Sequence, residues 1–392
     1  MAKLLFWISA GFAVYVYIGY PVLLWGLQAV FRSSPRKQSI EPSVSLLVAA
    51  YNEAAVMADK IRNSLGLDYP ADKLEVVIAS DGSKDATAEI VRSFYGSETV
   101  EGEAGGRVRL LNFEENRGKT AVLNDAVREL RGEIVAFSDA TSMLAADSVR
   151  TLVQSFSDPR VGAASGVYRV LKKDQAHLGA QEDLYWKYET FLKVQEARLG
   201  AFTGAHGSLY AIRRALYPFP PEGTINDDFT IPMRILESGY RVAYEPAAVA
   251  YEEAHEMEGF SRRVRITAGN IEQLREIKSL IWPPRPFVLF CLLSHKTGRL
   301  LVPVFMLAAL AANIALRGQF PYNWLLLGQA LFYGLAVLGA MISLKPKVLR
   351  LPYYFCMINS ALFAWVYQAL RHRRAIPSRI ELDQLGKRPP LG

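Results

Sequence analysis

The feature that most constrains the fold is an alternation of short apolar runs and helical patterns between residues 44 and 156. Each run is continuous rather than alternating in polarity, which is typical of a strand buried on both faces of a parallel sheet. Repeated β-α units of this length predict a Rossmann-like α/β domain with a mainly parallel sheet. We predict strands at residues 44–50, 74–79, 107–113 and 133–138, with helices at residues 54–67, 85–95, 119–131 and 145–156.

The pattern continues less regularly beyond residue 156. Arginines stand near the start of the last helical pattern, and Trp282-Pro283-Pro284 follows its end. That arrangement is typical of an amphipathic helix lying on a membrane surface. We predict further strands at residues 161–170, 208–213 and 241–245, with helices at residues 175–198, 226–238 and 260–278.

Long apolar segments lie at both ends of the chain. Residues 4–31 exceed the roughly 20 residues that a bilayer-spanning helix needs, and no small-residue cleavage site follows them. Basic residues at 32, 36 and 37 follow this span. The positive-inside rule therefore predicts a multi-pass protein of the cell (inner) membrane with a cytosolic α/β domain. Three further spans are predicted at residues 299–316, 322–344 and 351–370. Three spans after a cytosolic domain would place the basic tail on the outer side of the membrane, which conflicts with the positive-inside rule. The topology of the tail is therefore left open.

These patterns divide the chain into five predicted parts. The net charge of +7 comes largely from Lys and Arg beside apolar runs, which favours lipid headgroups over nucleic acid as a partner. The two cysteines lie inside apolar stretches, which excludes a disulfide framework and a zinc site. The parts are a transmembrane anchor (1–32), a cytosolic α/β domain (43–258), amphipathic interfacial helices (259–298), C-terminal transmembrane helices (299–371) and a basic tail (372–392).

Polar segments follow the predicted strands, and parallel sheets bind ligands at the carboxyl ends of their strands. Asp81 can accept a hydrogen bond from a base or a ribose there, or it can cap the next helix. Asp139 and Thr141 are two residues apart, so their oxygens can share a Mg²⁺ or Mn²⁺ ion bound to a diphosphate. Such an ion would neutralise a diphosphate leaving group, which indicates transfer from an anionic, nucleotide-linked substrate.

Four further motifs supply candidate residues, each with a structural alternative. Asp227 and Asp228 head a predicted helix, where they can cap it or where one can act as a base toward an attacking hydroxyl. Lys119 begins another helix and can hold phosphates or be solvated. Arg265, with two neighbouring arginines, can clamp a diphosphate or contact lipid headgroups. His206 stands between small residues and is interpreted as a packed or acceptor-side histidine rather than a metal ligand.

In this order the segments resemble the family 2 glycosyltransferases. The closest branch consists of membrane-bound synthases of extracellular polysaccharides, similar to cellulose, hyaluronan and poly-N-acetylglucosamine synthases. The similarity covers roughly residues 43–270. It is carried by Ala-Tyr-Asn-Glu at 50–53, Ser-Asp-Gly-Ser-Lys-Asp at 80–85, Asn-Arg-Gly-Lys at 116–119, Asp-Ala-Thr at 139–141, Thr-Gly-Ala-His-Gly at 203–207, Asn-Asp-Asp-Phe at 226–229 and Arg-Arg-Val-Arg at 262–265.

The resemblance implies a GT-A α/β catalytic domain with flanking transmembrane helices. It also implies inverting transfer of a sugar from a nucleotide-sugar, expected to be UDP-linked, to a glycan or lipid-linked acceptor in exopolysaccharide or cell-surface glycan synthesis. Membrane lipids and export or partner synthase subunits are the other expected partners. The resemblance implies that Asp228, beside Asp227, is the base. It places six residues at the nucleotide: Ala49, Tyr51, Glu53, Asp81, Lys119 and Arg265. It places Asp139 and Thr141 at Mg²⁺ or Mn²⁺, and Thr203, Gly204 and His206 at the acceptor.

Two motifs depart from the family pattern. The metal motif ends in Thr141 instead of a carboxylate or an amide. The family's Gln-X-X-Arg-Trp motif reads Arg-Arg-Val-Arg-Ile at residues 262–266, without the glutamine and without the tryptophan that would support the acceptor sugar. Two alternatives to a polymerase therefore stand: a transferase that adds one sugar to a polyprenyl phosphate or glycolipid, and a catalytically silent membrane subunit.

Overall fold

The computed structural model describes residues 1–31, 37–94, 107–171, 179–253, 259–276, 285–342 and 347–372 of the 392 residues. The described residues fall into two units. One unit holds the sheet and its helices, within residues 37–171 and 185–253. The other holds the N-terminal helix, the short segment 180–184 and the helices from residue 259 onward. The predicted basic tail beyond residue 372, together with Arg32 and Arg36, lies outside the described residues.

Eight strands form a single mixed sheet with the order β3-β2-β1-β4-β7-β6-β8-β5. The first four strands of the chain pair in parallel, which confirms the predicted α/β domain. The strands are β1 (Val44–Ala50), β2 (Leu74–Asp81), β3 (Val108–Phe113), β4 (Ile134–Phe137), β5 (Met143–Leu144), β6 (Val161–Leu171), β7 (Tyr210–Arg213) and β8 (Arg241–Glu253).

Strand β1 explains why the apolar runs are continuous. It pairs in parallel with β2 on one side and with β4 on the other, so it lies inside the sheet. Leu46 and Leu47 point to opposite faces of the sheet, and both are fully buried. The residues on the Leu46 face pack with Ile78 and Leu152 in the main core of the unit. Burial on both faces therefore favours apolar residues along β1, and the one polar residue, Ser45, donates to Glu75 Oε1 and accepts the Gly132 N–H at 2.8 Å.

Helices connect the parallel strands, as the β-α pattern predicts. Helix Ala54–Leu65 follows β1, and Lys119–Glu129 connects β3 to β4. Helix Asp227–Glu237 begins at the acidic pair, which thus heads a helix as expected. The remaining helices of this unit are Thr87–Ser93, Ser148–Val153 and the part of Gly179–Arg198 outside residues 180–184, and short 3-10 turns cover Ala71–Lys73, Gln154–Ser157 and Arg214–Leu216.

The second half of the sheet has three features that the sequence did not predict. Strand β7 runs antiparallel to both β4 and β6, so the sheet is mixed there. Strand β5 was not predicted. Strand β8 continues to Glu253, whereas the prediction ended it at residue 245. Pro246 lacks an N–H group, and the β6–β8 register shifts between Ser165 and Val167 at this point, which lets the strand pass the proline.

Three helices among the described residues are long and apolar enough to cross a membrane: Ala2–Phe31, Pro286–Ala315 and Tyr322–Met341. Helix Pro286–Ala315 begins earlier than the span predicted at residues 299–316. It is continuous because a π-helical turn at Leu292–Thr297 joins Pro286–Cys291 to Gly298–Ala315. A helix also covers the predicted span at 351–370, as Leu351–His372, but it is not among these three. Helix Gly259–Glu276 is confirmed, and its place on a membrane surface stays a prediction.

The apolar helices expose much of their surface. In the most apolar 18-residue stretch of each helix, only 22%, 33% and 6% of the stretch is buried, in chain order. Trp25 and Leu331 are among the large apolar side chains that are more than half exposed. Phe6 packs with Ala309 and Tyr322, so the helices also contact one another. Apolar surface on this scale is unfavourable in water and is what lipid chains would cover.

Candidate active site

A carboxylate predicted to bind metal and one predicted to be catalytic meet near the carboxyl end of β4. Asp139 follows this strand, and Lys119 begins a neighbouring helix. The Lys119 ammonium lies 2.8 Å from Asp139 Oδ1 and 3.3 Å from Asp227 Oδ2. One cation thus joins carboxylates from two distant segments. Its side chain is only 15% exposed, so solvent weakens these contacts little.

Gly207 leaves a space beside two of the carboxylates. A Cβ atom on this residue would stand 3.1 Å from Asp139 Oδ2 and 3.7 Å from Asp228 Oδ2. Both oxygens therefore border the same space, which a larger residue at position 207 would fill. The Asp139 side chain is 36% exposed, so this carboxylate is accessible from solvent. The sequence did not single out Gly207 for this reason.

The two members of the acidic pair have different surroundings. Asp227 is buried, lies near Lys119 and accepts a hydrogen bond of 3.4 Å from the Tyr210 hydroxyl. Burial, reinforced by the charge of Asp227, raises the pKa of Tyr210 far above its usual range, so this phenol stays a hydrogen-bond donor. Asp228 is partly exposed, and its carbonyl accepts the Ala205 N–H at 2.9 Å. Asp228 is thus the member that borders the space beside Gly207.

Asp81 fixes a loop instead of capping the helix that follows it. Its Oδ1 accepts the Arg117 N–H at 2.8 Å, and its Oδ2 accepts the Gly118 N–H at 2.9 Å. Gly82 has a φ of +64°, and a Cβ there would stand 2.6 Å from the Asn116 nitrogen. These contacts hold residues 116–118 against the end of β2. They position Lys119 next along the chain, and the predicted nucleotide contact of Asp81 stays a prediction.

The loops after β1 and β2 are joined by side-chain caps. Asn52 has a φ of +55°, and its Oδ1 accepts the Lys84 N–H at 2.8 Å. Asp85 accepts N–H groups of Ala54 and Thr87. Burial would raise the pKa of Asp85, but these hydrogen bonds and that of the Thr87 hydroxyl outweigh it and lower the pKa. The predicted nucleotide residues Ala49, Tyr51 and Glu53 stand on the β1 side of this pair of loops, and Tyr51 is 45% exposed.

The predicted acceptor segment faces a buried polar network. Thr203 Oγ1 donates to Glu196 Oε2 at 2.6 Å, and both residues are fully buried. His206 Nε2 lies 3.0 Å from the Tyr244 hydroxyl and 3.4 Å from Lys193 Nζ. His206 is therefore packed, as interpreted. Gly204 has a φ of +133°, which favours glycine, and acceptor contacts of this segment stay a prediction.

Two buried charged residues near the metal motif were missed. Lys60 is fully buried and donates to Ser138 Oγ at 2.7 Å and to the Ser142 carbonyl. Burial lowers the pKa of Lys60 to about 7, although the charges of Asp139 and Glu252 oppose this shift. Its position beside Met57, Ile61 and Ser64 on the buried face of a helix was a detectable signal. Glu252 gave no such signal, because the end of β8 was not predicted.

Two further predicted site residues are Thr141 and Arg265, which belong to different units. Thr141 Oγ1 donates to Glu252 Oε1 at 2.6 Å. Arg265 belongs to helix Gly259–Glu276 in the other unit, so its nucleotide contact stays a prediction.

The Asp139 carboxylate fits a hard divalent cation. Asp139 Oδ2 borders the space beside Gly207, and carboxylate oxygens are ligands that Mg²⁺ and Mn²⁺ prefer. Within the part of the chain that is described, no group of three His, Cys, Asp or Glu side chains converges on one point. A cation held here would therefore take further ligands from other oxygens, such as those of a bound diphosphate.

Comparison with known proteins identifies the family. The sequence model described as Glycosyl transferase family group 2 matches residues 134–367, more than half of the chain. The chain is a family 2 glycosyltransferase. The model described as Glycosyl transferase family 2 matches residues 45–217 of this glycosyltransferase. Together the two matches include every predicted site residue.

Relatives of the glycosyltransferase include two poly-beta-1,6-N-acetyl-D-glucosamine synthases. The one from Staphylococcus aureus (strain COL) is 26% identical over 237 residues, covering 59% of this chain and 55% of the relative. The one from Staphylococcus epidermidis (strain ATCC 35984) is 26% identical over 243 residues, covering 60% and 56%. The chain thus spans little more than half the length of these curated relatives.

A solved structure resembles nearly the whole glycosyltransferase. The mannosyltransferase PcManGT from Pyrobaculum calidifontis, in complex with GDP-Man and Mn²⁺, has a TM-score of 0.69 and 25% sequence identity. The similarity covers 94% of this chain and 100% of that one. It confirms the predicted GT-A fold with flanking apolar helices.

Proposed function

We propose that this glycosyltransferase transfers a sugar, with inversion, from a nucleotide-sugar to a hydroxyl of a glycan or lipid-linked acceptor at the membrane. The observation that carries the proposal is the arrangement around Gly207. Asp139 and Asp228 border one space there, and Lys119 joins Asp139 to Asp227. A donor diphosphate needs positive charge, and an acceptor hydroxyl needs a base. Lys119 supplies positive charge and Asp228 supplies the base within one site.

Asp228 is the proposed base. It takes the proton of the acceptor hydroxyl as that oxygen attacks the anomeric carbon from the face opposite the nucleoside diphosphate. The bond between the anomeric carbon and the diphosphate oxygen breaks, and the leaving group keeps the electron pair. One displacement with one base inverts the anomeric centre. Asp227 is buried between Lys119 and Tyr210, so its role is to orient Lys119 and the start of its helix.

Asp139 and Thr141 are the proposed residues for Mg²⁺ or Mn²⁺. When bound, this ion neutralises charge on the diphosphate leaving group. Lys119 lies at the N-terminal end of its helix, where the helix dipole also favours anions. Its ammonium is therefore placed to bind a diphosphate oxygen in addition to Asp139. Asp81 and the residues after β1 are proposed to hold the nucleoside.

Two donor nucleotides and two kinds of product are candidates. The sequence favours a UDP-sugar, while the solved mannosyltransferase that matches 94% of this chain holds GDP-Man, so a GDP-sugar is the second candidate. Ile266 stands where the synthase motif has a tryptophan, which favours single addition to a lipid-linked acceptor over polymer synthesis. We place the catalytic unit on the cytosolic side of the cell membrane, because basic residues follow the first span.

The test uses the purified full chain in detergent with Mn²⁺ or Mg²⁺ and a membrane lipid extract. Nucleotide release is followed for a panel of UDP- and GDP-sugars, and the labelled product is sized in the same reaction. Donor-specific release with a lipid-extractable single-sugar product supports the lipid-linked form. Release with a long product supports polymer synthesis. No release from any donor, with activation of a partner synthase instead, would overturn the proposal in favour of a silent subunit.

A further inference from the structure

The metal motif of this chain has a threonine where the family has a carboxylate or an amide, and the structure gives that threonine a specific partner. Thr141 Oγ1 donates its proton to Glu252 Oε1 at 2.6 Å. A hydroxyl has one proton and two lone pairs, so a proton engaged by Glu252 leaves the lone pairs to accept or to coordinate. A carboxylate acceptor also draws the proton toward itself, which makes the hydroxyl oxygen more negative.

Glu252 is held where it can act in this way. It lies on β8, whose backbone register with β6 pairs it with Val170, and its side chain is buried. The position is fixed by the sheet rather than by a loop. The charge of Glu252 also reaches the buried Lys60, which hydrogen bonds to Ser138 and Ser142 on either side of the motif. The motif is therefore flanked by one buried anion and one buried cation.

We propose that Glu252 is a positioning residue for the metal motif, supplying through the Thr141 hydroxyl the negative charge that the motif lacks at its third position. The inference rests on the proposed function of Asp139 and Thr141 as residues for a divalent cation. A carboxylate that accepts a proton from a ligand group raises the basicity of that ligand. Glu252 thereby adjusts the affinity for the ion without contacting it.

The test measures Mn²⁺ binding directly, by electron paramagnetic resonance of free Mn²⁺, on the purified full chain without donor and again with UDP or GDP. Glu252→Gln keeps the size and a hydrogen-bond acceptor but removes the charge. We expect it to weaken Mn²⁺ binding roughly tenfold or more, as outer-shell substitutions do. Glu253→Gln, at the neighbouring glutamate, is the matched control and should change the affinity less than about twofold.

A double variant shows whether Glu252 acts through Thr141. Thr141→Val should weaken Mn²⁺ binding about as much as Glu252→Gln, and the double variant Thr141→Val/Glu252→Gln should be no weaker than either single one. Restoring a carboxylate in the motif with Thr141→Asp/Glu252→Gln should return the affinity to within about threefold of the parent. This rescue shows that the Gln variant has folded.

Three results would overturn the proposal. Unchanged Mn²⁺ affinity in Glu252→Gln, with a lowered melting temperature, would make the contact a structural hydrogen bond. Additive losses in the double variant would mean that Glu252 acts independently of Thr141. A parent protein that transfers sugar but binds no Mn²⁺ would refute the metal role, while the proposed sugar transfer would stand.

Discussion

Acidic side chains follow strands in both halves of the sheet, but they contact different groups. In the half formed by β1, β2 and β3, Asp81 and Asp85 accept backbone N–H groups from neighbouring loops. In the half that begins at β4, Asp139 and Asp227 lie against the side-chain ammonium of Lys119. The same residue type thus fixes loops in one half and forms a charged side-chain cluster in the other.

This difference suggests a division of tasks. Carboxylates that accept backbone N–H groups stabilise a fixed geometry, because replacing them removes a charged acceptor from these donors. Carboxylates that contact a lysine can exchange that partner for a phosphate, a metal ion or an acceptor hydroxyl. We therefore expect substitutions in the first half to change stability and donor affinity, and those in the second half to change turnover.

The largest effect is expected at Asp228. Asp228→Asn removes the proposed base while keeping the shape of the side chain, so turnover should fall about a thousandfold. Donor binding and the melting temperature should stay close to those of the parent. Steady-state nucleotide release and calorimetric donor binding provide the two measurements. Glu237→Gln, at the other end of the same helix, is the control. Loss of donor binding in Asp228→Asn would instead place this residue at the nucleotide.

The next effect is expected at Lys119. Lys119→Met keeps the length of the side chain but removes the cation that joins Asp139 and Asp227. Charged hydrogen bonds of this kind contribute about 1.5–3 kcal/mol, so kcat/KM should fall roughly 10- to 150-fold. Donor titrations of the initial rate check this, and Lys119→Arg should recover part of the loss. A Lys119→Met enzyme with unchanged kcat/KM would show that the lysine is only a surface contact.

A smaller effect of another kind is expected at Asp81. In Asp81→Asn the side-chain NH₂ group must face the N–H of Arg117 or of Gly118, so one partly buried hydrogen bond to a charged acceptor is lost. The free energy of unfolding should fall by about 1–3 kcal/mol, and the donor KM should rise. Thermal unfolding and donor titrations measure the two. At saturating donor, turnover should stay within about threefold of the parent, since Asp81 is not expected to act in the chemical step.

The effect expected at Lys60 is a pH dependence of stability rather than a change in turnover. Burial lowers the pKa of Lys60 from 10.5 to about 7, so the unfolded chain binds more protons than the native one between these values. The cost of the buried cation is therefore largest below about pH 7 and decreases as the pH rises toward 10. Relative to Lys60→Met, the melting temperature of the parent should rise between about pH 7 and pH 9. Parallel curves for the two proteins would contradict the shift.

The same two halves differ in how far the sequence predicted them. Strands β1, β2 and β4 are almost wholly buried, and β1, β2 and β3 are each followed by a helix, so their pattern is local and could be predicted. Strand β7 runs antiparallel, and β8 continues past Pro246. Both features depend on which strand each of them pairs with, and pairing between distant segments is not a local property of the sequence. A proline within an apolar run predicts the end of a strand, and here a register shift accommodates it instead.

The candidate site divides in the same way. Asp139 and Lys119 could be predicted from motifs, since each follows a strand or begins a helix. Glu252 could not, because its contact with Thr141 joins residues 111 positions apart. Lys60 was recognisable only as a lysine on an apolar helix face, without an indication of its contact at Ser138, 78 positions away. Residues that support a site from a distance are defined by packing rather than by a motif.

The most direct test of the division between the two halves compares Asp81→Asn and Asp228→Asn on the same preparation. For each variant the dissociation constant of the nucleotide-sugar and the turnover at saturating donor are measured side by side. We predict a crossed result, with weaker donor binding but near-parental turnover for Asp81→Asn, and parental binding with turnover reduced about a thousandfold for Asp228→Asn. Equal losses of binding and turnover in both variants would contradict the account.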